Sequence, residues 1–374
     1  MNPLMLHEFH QSLGARFAEL NGAEVVSDYG DWPGEYQALH ESAGVMDLSF
    51  RSRICLVGAD RARFLHGQVT NDVKQLRAGE GCYAAITTAK GKTESDLNIF
   101  CLADELLLDF EPGLTEKISA RLEKFIVADD VQIVDAAPHY GLLSVQGPKP
   151  ETVVVALGLI GRDALPRIQA DRQFSPTIVK ISDTALGEIY LANHARLGAS
   201  GFDLFIPNIS IAAVADKLIA AAKAVGGRAV GWQAFETARV EAGIPRFGAD
   251  MDETNLPLEC GIESRAVAYN KGCYIGQEVI NRIHSFGHVN RELRGLHLAD
   301  DLKALPARGD KLFHAGKEAG HITSAVKSPR FGNIALGCVR REANQAGNKL
   351  TLRTADGESS VKIVKLPFVQ AVQG

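Results

Sequence analysis

The sequence predicts an α+β chain that ends in a β-rich domain, and three observations lead there. Strand-like and helix-like stretches alternate through the first 290 residues. After that point short apolar runs alternate with Gly, Pro and Asn. The length, 374 residues, is too great for one ordinary core and favours two or three domains.

The elements follow in order. Residues 7–43 read as helical stretches, broken by the turn chemistry of Tyr29-Gly30-Asp31-Trp32-Pro33-Gly34. Residues 53–58 read as a strand, and Ala59-Asp60 opens a helix with an acid at its start. Residues 82–87 and 96–102 form hairpin strands joined through Lys90-Gly91-Lys92, followed by a strand at 104–110 and a helix from Thr115 to Phe125. The pattern returns with a strand at 141–146, a helix from Pro150, strands at 176–182, 188–193 and 202–206, and an Ala-rich helix from Ile211 to Val225 stopped by Gly226-Gly227. A further helix covers 232–242. The runs at 294–298, 319–324, 334–339, 349–353 and 361–364 then predict a small antiparallel barrel or sandwich.

Composition excludes several classes. The chain is 46% hydrophobic and 23% charged, as in ordinary globular protein. Its net charge of −5 gives little non-specific attraction to nucleic acid, so no direct nucleic-acid partner is expected. The basic run from Arg282 to Arg294 reads as a solvated face. No apolar stretch reaches the roughly 18 to 20 residues a membrane helix needs, and the first residues lack a signal-peptide pattern, so a cytoplasmic protein is expected. Cys55, Cys82, Cys101, Cys260, Cys273 and Cys338 form no CxxC pair and no zinc spacing, so no permanently bound metal is expected. All but Cys273 read as buried thiols. Gly198-Ala199-Ser200-Gly201 is one residue short of a nucleophile elbow, and His284 and His288, four apart, lack the carboxylate of HExxH. Both read as ordinary polar positions.

One segment stands out. Residues 270–282, NKGCYIGQEVINR, place Cys273 between two glycines and just before Gln277, Glu278 and Arg282. Glycine permits positive φ and close backbone approach. A thiol between Lys271 and Arg282 near a helix start is a candidate reactive thiolate, with Glu278 and Arg282 spaced i to i+4 beside it. A glycine-bounded turn with a packed Cys is the competing reading.

The segment resembles the KGC-aromatic-x-GQE-x-x-x-R signature of the YgfZ-type folate-binding proteins, relatives of the aminomethyltransferase (T-protein) of the glycine cleavage system. Lys271, Gly272, Cys273, Tyr274, Gly276, Gln277, Glu278 and Arg282 complete it. The likeness extends along the chain through AGVMDLS (43–49), LSVQGP (143–148), TARVEAGIPRFG (237–248), Asp252-Glu253 with Pro257-Leu258-Glu259, and Thr323-Ser324, Ser328-Pro329 and Asn333-Ile334-Ala335-Leu336. The resemblance implies a three-domain fold around a central channel that holds tetrahydrofolate. Residues 1–50 with 140–285 would form the folate-binding α+β domain, 51–139 an inserted α+β domain, and 286–374 the C-terminal β-barrel.

Two departures accompany it. Where the T-protein hairpin carries a pair of Asp residues, this chain has Ser95 and Asp96, and where it sets a Glu against the pterin this chain has Ala199. A serine hydroxyl carries no charge and is too weak a base near neutral pH to shuttle a proton. Losing one such electrostatic contact costs about 10²–10³ in rate. Glu94 and Asp96 point to the face opposite Ser95, since strand neighbours alternate. Ser95, Asp96, Arg239 and Glu241 are the implied folate-contacting positions. Cys273, with Lys271, Gln277, Glu278 and Arg282 around it, is the implied working site. The resemblance implies a folate-binding accessory role in iron–sulfur cluster assembly or repair, with effects on tRNA modification, in partnership with cluster-assembly proteins or client enzymes. One thiol cannot hold a cluster alone, so Cys273 would make a transient contact shared with a partner. The alternative is a tetrahydrofolate-dependent aminomethyltransferase; a folate-binding scaffold with a structural Cys273 is a third, blander reading.

Overall fold

The computed structural model describes residues 2–166, 176–198, 200–355 and 357–368. The chain sorts into two compact units. The first holds residues 1–84 and 96–235; the second holds 85–95, the tip of a hairpin, together with 236–374.

The first unit begins with α1 (His7–Ser12), β1 (Arg16–Leu20), β2 (Ala23–Asp28) and α2 (Trp32–Glu41). The helical expectation for residues 7–43 is therefore corrected: β1 and β2 form an antiparallel hairpin in the middle of it. The cause is the two-residue link Asn21-Gly22, both at positive φ (50° and 82°), which is the backbone a tight hairpin turn requires. Asp31 caps α2 by accepting from the Gly34 N–H at 3.2 Å. There follow β3 (Gly44–Asp47), β4 (Ser52–Val57) and α3 (Arg61–Gln68), then β5 (Gly81–Thr87), β6 (Thr93–Cys101) and β7 (Glu105–Phe110). Next come α4 (Thr115–Glu123), β8 (Gln132–Asp135), β9 (Tyr140–Gln146) and α5 (Pro150–Val155). The run closes with β10 (Thr177–Asp183), β11 (Gly187–Asn193), β12 (Gly201–Pro207), α6 (Ile211–Ala224), β13 (Arg228–Ala229) and α7 (Trp232–Glu241).

These strands form two larger sheets. One has five strands in the order β5-β6-β7-β4-β8, and the other six in the order β10-β11-β12-β9-β3-β13. The pairing of β13 with β3 is parallel, while β3, β9, β12, β11 and β10 run antiparallel in turn. Strand β8 lies at an edge and buries almost nothing, so it carries no alternating pattern to read. Helix α6 buries Ile211, Val214, Ala215, Leu218, Ile219 and Ala222, a stripe with helical period. That stripe packs into one core with Val45, Leu143, Val145, Leu191, Phe202, Leu204 and Ile206 of the six-stranded sheet.

The second unit contains α8 (Glu263–Ala266), α9 (Gln277–Phe286) and a closed barrel. Its strands are β14 (Arg291–Leu298), β15 (Lys311–His314), β16 (Lys317–Ser328), β17 (Gly332–Arg340), β18 (Lys349–Thr354) and β19 (Gly357–Val364). Their order is β14-β17-β16-β15-β18-β19, and β14 pairs with β19 to close the ring. Closure removes the exposed edge that an open sheet would present. Leu296, Leu312, Ile322, Val339, Leu352 and Ile363, all fully enclosed, fill the interior. The short β15 was not legible as a strand, because only Leu312 of its four residues is buried.

Candidate functional site

Cys273 is solvent-exposed. It sits on the turn that leads into α9, and that turn is pinned to the tip of the β5–β6 hairpin. Gly276, the residue before α9, has φ of 90°. A Cβ built on it would lie 2.6 Å from the Thr88 carbonyl oxygen and 2.7 Å from Thr87 Oγ1, so only glycine fits. Thr87 Oγ1 donates to the Ile275 carbonyl at 2.6 Å. The hairpin tip is held in turn by the Thr93 N–H on the Asn255 carbonyl at 2.9 Å and by Lys92 Nζ on the Thr254 carbonyl at 2.8 Å. Gly91, at φ 73°, brings its backbone against Leu256 and Val279. The glycine-hinged turn expected around Cys273 is thus present, with Gly276 as the position that demands glycine.

The residues beside the thiol divide into buried and exposed. Lys271 is only 9% exposed, and its ammonium stands 4.9 Å from the centre of the Tyr274 ring. Tyr274 is 6% exposed, and among the described residues its buried hydroxyl has no hydrogen-bond partner. Burial pushes the Tyr274 hydroxyl up to about 12, so it stays protonated. Gln277 Nε2 reaches the Gly272 carbonyl at 3.5 Å and closes the loop on itself. Glu278 and Arg282 both face solvent on α9, and among the described residues no ion pair joins them. Helix α9 ends at Phe286, so His288 lies outside it and shares no helical face with His284. His284 Nδ1 instead pairs with Glu263 at 2.8 Å, and its ring stacks on Tyr269 at 3.7 Å.

The other thiols are enclosed, as expected: Cys55, Cys82, Cys260 and Cys338 are buried and Cys101 is half-buried. Burial raises the pKa of Cys55, Cys101, Cys260 and Cys338, the last to about 11. Among the described residues no group of three or more His, Cys, Asp or Glu side chains is arranged to hold a metal ion.

The residues proposed to contact folate are placed as follows. Along β6, Thr93, Ser95 and Leu97 are buried while Glu94 and Asp96 are half-buried, the alternation a strand imposes. Ser95 has no exposed surface. Asp96 accepts from the Tyr83 hydroxyl at 2.7 Å. Arg239 is 2% exposed and committed to its own unit: it pairs with Asp250 and Glu236 and donates to Ser324 Oγ at 2.7 Å. Asp250 also accepts from Thr323 Oγ1 at 2.6 Å and Ser324 Oγ at 2.8 Å. Consecutive strand residues reach the same carboxylate because β16 breaks register between Ile322 and Ser324, a bulge that re-aims a side chain. Glu241 pairs with the Ser328 hydroxyl, which also accepts from the Arg330 and Phe331 N–H groups. Arg239 and Glu241 therefore tie the last residues of α7 (236–241), which belong to the second unit, to that unit's own barrel. Ala199 lies outside the described residues, and Ser200 beside it is exposed.

Sequence reasoning missed a buried charge network in the first unit. Arg51 Nε donates to Asp109 at 2.7 Å and its Nη1 to Glu111 at 2.8 Å. Arg196 Nη2 reaches Asp109 at 2.8 Å, and Arg196 Nε grips both oxygens of Asp203 at 3.1 and 2.9 Å. Asp203 then pairs with His194 Nδ1 at 2.7 Å. Asn98 Nδ2 adds a bond to Asp109 at 3.1 Å. Burial pushes the Asp109 and Asp203 carboxyls up, but the guanidiniums beside them, Arg196 foremost, hold both below the usual carboxylate range. The available signal was a lone carboxylate, Asp109 or Asp203, inside an otherwise apolar strand buried on both faces.

The comparisons with known proteins agree with this architecture. Residues 6–271 match the model of the GCVT N-terminal domain, and residues 291–370 match that of the glycine cleavage T-protein C-terminal barrel domain. The chain belongs to the glycine cleavage T-protein family. An aminomethyltransferase of Cupriavidus necator is 29% identical over 98% of this chain and 96% of its own length. That of Bacillus subtilis is 26% identical over 97% and 98%. The crystal structure of glycine cleavage system aminomethyltransferase T from Bartonella henselae superposes with a TM-score of 0.86 at 23% identity, covering 98% of both chains, so the fold is the same. Among the described residues no helix is long and apolar enough to cross a membrane.

Proposed function

We propose that this chain is a folate-binding accessory protein of the YgfZ type, acting in the cytoplasm on iron–sulfur cluster assembly or repair, with Cys273 as its working group. The observation that carries the reading is the state of that thiol. It is the exposed cysteine of the six, on a turn whose geometry depends on Gly276 and on the hairpin tip. A structural cysteine is normally enclosed, as Cys55, Cys82, Cys260 and Cys338 are. The cluster role itself rests on the likeness of residues 271–282 to the YgfZ signature. A single thiol supplies one of the four ligands a cluster needs, so the contact is shared with a partner.

Tetrahydrofolate is the ligand the family fold implies. A serine at position 95 leaves the β6 strand without the acid that would stabilise developing charge during one-carbon transfer, and Asp96 is bonded to Tyr83 instead. This separates binding from transfer: folate is held, and the aminomethyl chemistry is weakened.

The names of the relatives favour a second reading, a tetrahydrofolate-dependent aminomethyltransferase, and they support it more directly than anything beyond the motif supports the cluster role. One pair of experiments separates the two. Purified protein mixed with tetrahydrofolate and an aminomethyl donor should give no methylene transfer under the accessory reading, whereas turnover establishes the transferase. In a deletion strain, Cys273→Ala should fail to restore cluster-enzyme activity. Full rescue would remove the thiol from the function.

A further inference from the structure

Two histidines of the first unit, His10 buried and His194 half-buried, make contrasting use of their rings. His10 has both nitrogens occupied: Nε2 bonds Asp47 at 2.9 Å and Nδ1 bonds the Tyr29 hydroxyl at 2.9 Å, and the residue is 2% exposed. That is how a structural histidine is satisfied. His194 has one nitrogen occupied. Its Nδ1 bonds Asp203 at 2.7 Å, and its Nε2 makes no hydrogen bond among the described residues. Its side chain keeps 16% exposure while that of Asp203 has none.

The surroundings set the state of the ring. Asp203 is buried and clamped by Arg196, so it stays ionised and acts only as an acceptor. The His194 Nδ1 therefore carries the hydrogen, which leaves Nε2 with its lone pair. The charged groups facing the ring are Asp203 on β12, Arg196 on the loop before it and, beyond them, Asp109 on β7, itself balanced by Arg51. Burial and the Arg196 charge both favour the neutral imidazole. Phe100 sets its ring edge-on to the imidazole, with centroids 6.2 Å apart.

We infer that His194 is a proton acceptor held ready by Asp203, whose Nε2 takes a hydrogen bond, or the proton itself, from an N–H or O–H of a bound small molecule. If the proton moves, the electron pair of that N–H or O–H bond stays on the ligand, and Asp203 balances the new imidazolium. A neutral imidazole with an open lone pair is a group able to accept such a proton. For the identity of the ligand this inference rests on the folate reading, since a pterin presents several N–H groups. Asp203 is a positioning residue in this arrangement.

The test uses the full-length chain labelled with nitrogen-15, observed through the imidazole nitrogens at pH 6 to 8 without and with saturating tetrahydrofolate under anaerobic conditions. The expected result is a neutral His194 with hydrogen on Nδ1, an Nε2 resonance that shifts when tetrahydrofolate binds, and a loss of that single tautomer in Asp203→Asn. His194→Ala should weaken tetrahydrofolate binding about ten-fold, the size of one lost hydrogen bond. Binding with no movement of the His194 resonances, or a protonated Nε2 throughout the range, would overturn the role of His194 while leaving the folate reading intact. An unaltered chain that does not bind tetrahydrofolate would remove the folate reading and this inference with it. The spectra of the unsubstituted protein decide the matter even if a variant fails to fold.

Discussion

Gly276 and Thr88 approach so closely that a single methyl group on the glycine would stand 2.6 Å from the threonine carbonyl oxygen. The turn carrying Cys273 and the tip of the β5–β6 hairpin are locked together at this point. Gly276→Ala should therefore destabilise the second unit by at least about 1–3 kcal/mol, from the positive φ alone. Urea denaturation followed by circular dichroism measures it. An alanine variant as stable as the parent would show that the contact is not made.

Thiol accessibility distinguishes the six cysteines. Native protein treated with an aromatic disulfide reagent should release one equivalent quickly, from Cys273, with Cys101 slower and the buried four silent until unfolding. Cys273→Ala should abolish the fast phase and leave stability within about 0.5 kcal/mol, because an exposed side chain outside any network contributes little. Persistence of the fast phase in that variant would assign it to another thiol.

The Arg196 bridge between Asp109 and Asp203 gives a third expectation. Arg196→Met leaves two buried carboxylates without their shared cation, and breaking a buried pair from one side costs about 3–5 kcal/mol. Denaturant midpoints should fall accordingly. A change under about 1 kcal/mol would mean that water reaches the network and screens it.

The same network predicts how stability depends on pH. His194 is held below its ordinary value, mainly by burial and then by Arg196. As pH falls through about 6.5 the unfolded chain takes up that proton before the folded one, so stability declines from there downward. Asp109 and Asp203, also depressed, add their loss as pH falls below about 4. Denaturant midpoints at pH 8, 6 and 4 should decrease in that order, and His194→Ala should flatten the first step. Equal slopes for parent and variant between pH 8 and 6 would count against a depressed His194.

Much of the architecture was readable from local pattern, because period and turn chemistry are local properties. The barrel strands β14, β16, β17, β18 and β19, the stripe of α6 and the Cys273 turn all declared themselves this way. The hairpin β1–β2 is equally local, and its Asn21-Gly22 link carries the turn signal that overrides the helical expectation for residues 7–43.

What the chain determined by itself was the family, the order of most of the longer elements after residue 50 and the presence of one cysteine in a setting unlike the other five. Only the folded structure decided which polar groups meet. Arg239 finds Asp250 and Ser324 through a bulge in β16, and Arg196 joins carboxylates 94 positions apart in sequence, Asp109 and Asp203. The physical reason is that a periodic pattern tells which side of a strand is buried, whereas a hydrogen bond or ion pair needs partners brought within about 3 Å by packing of distant segments.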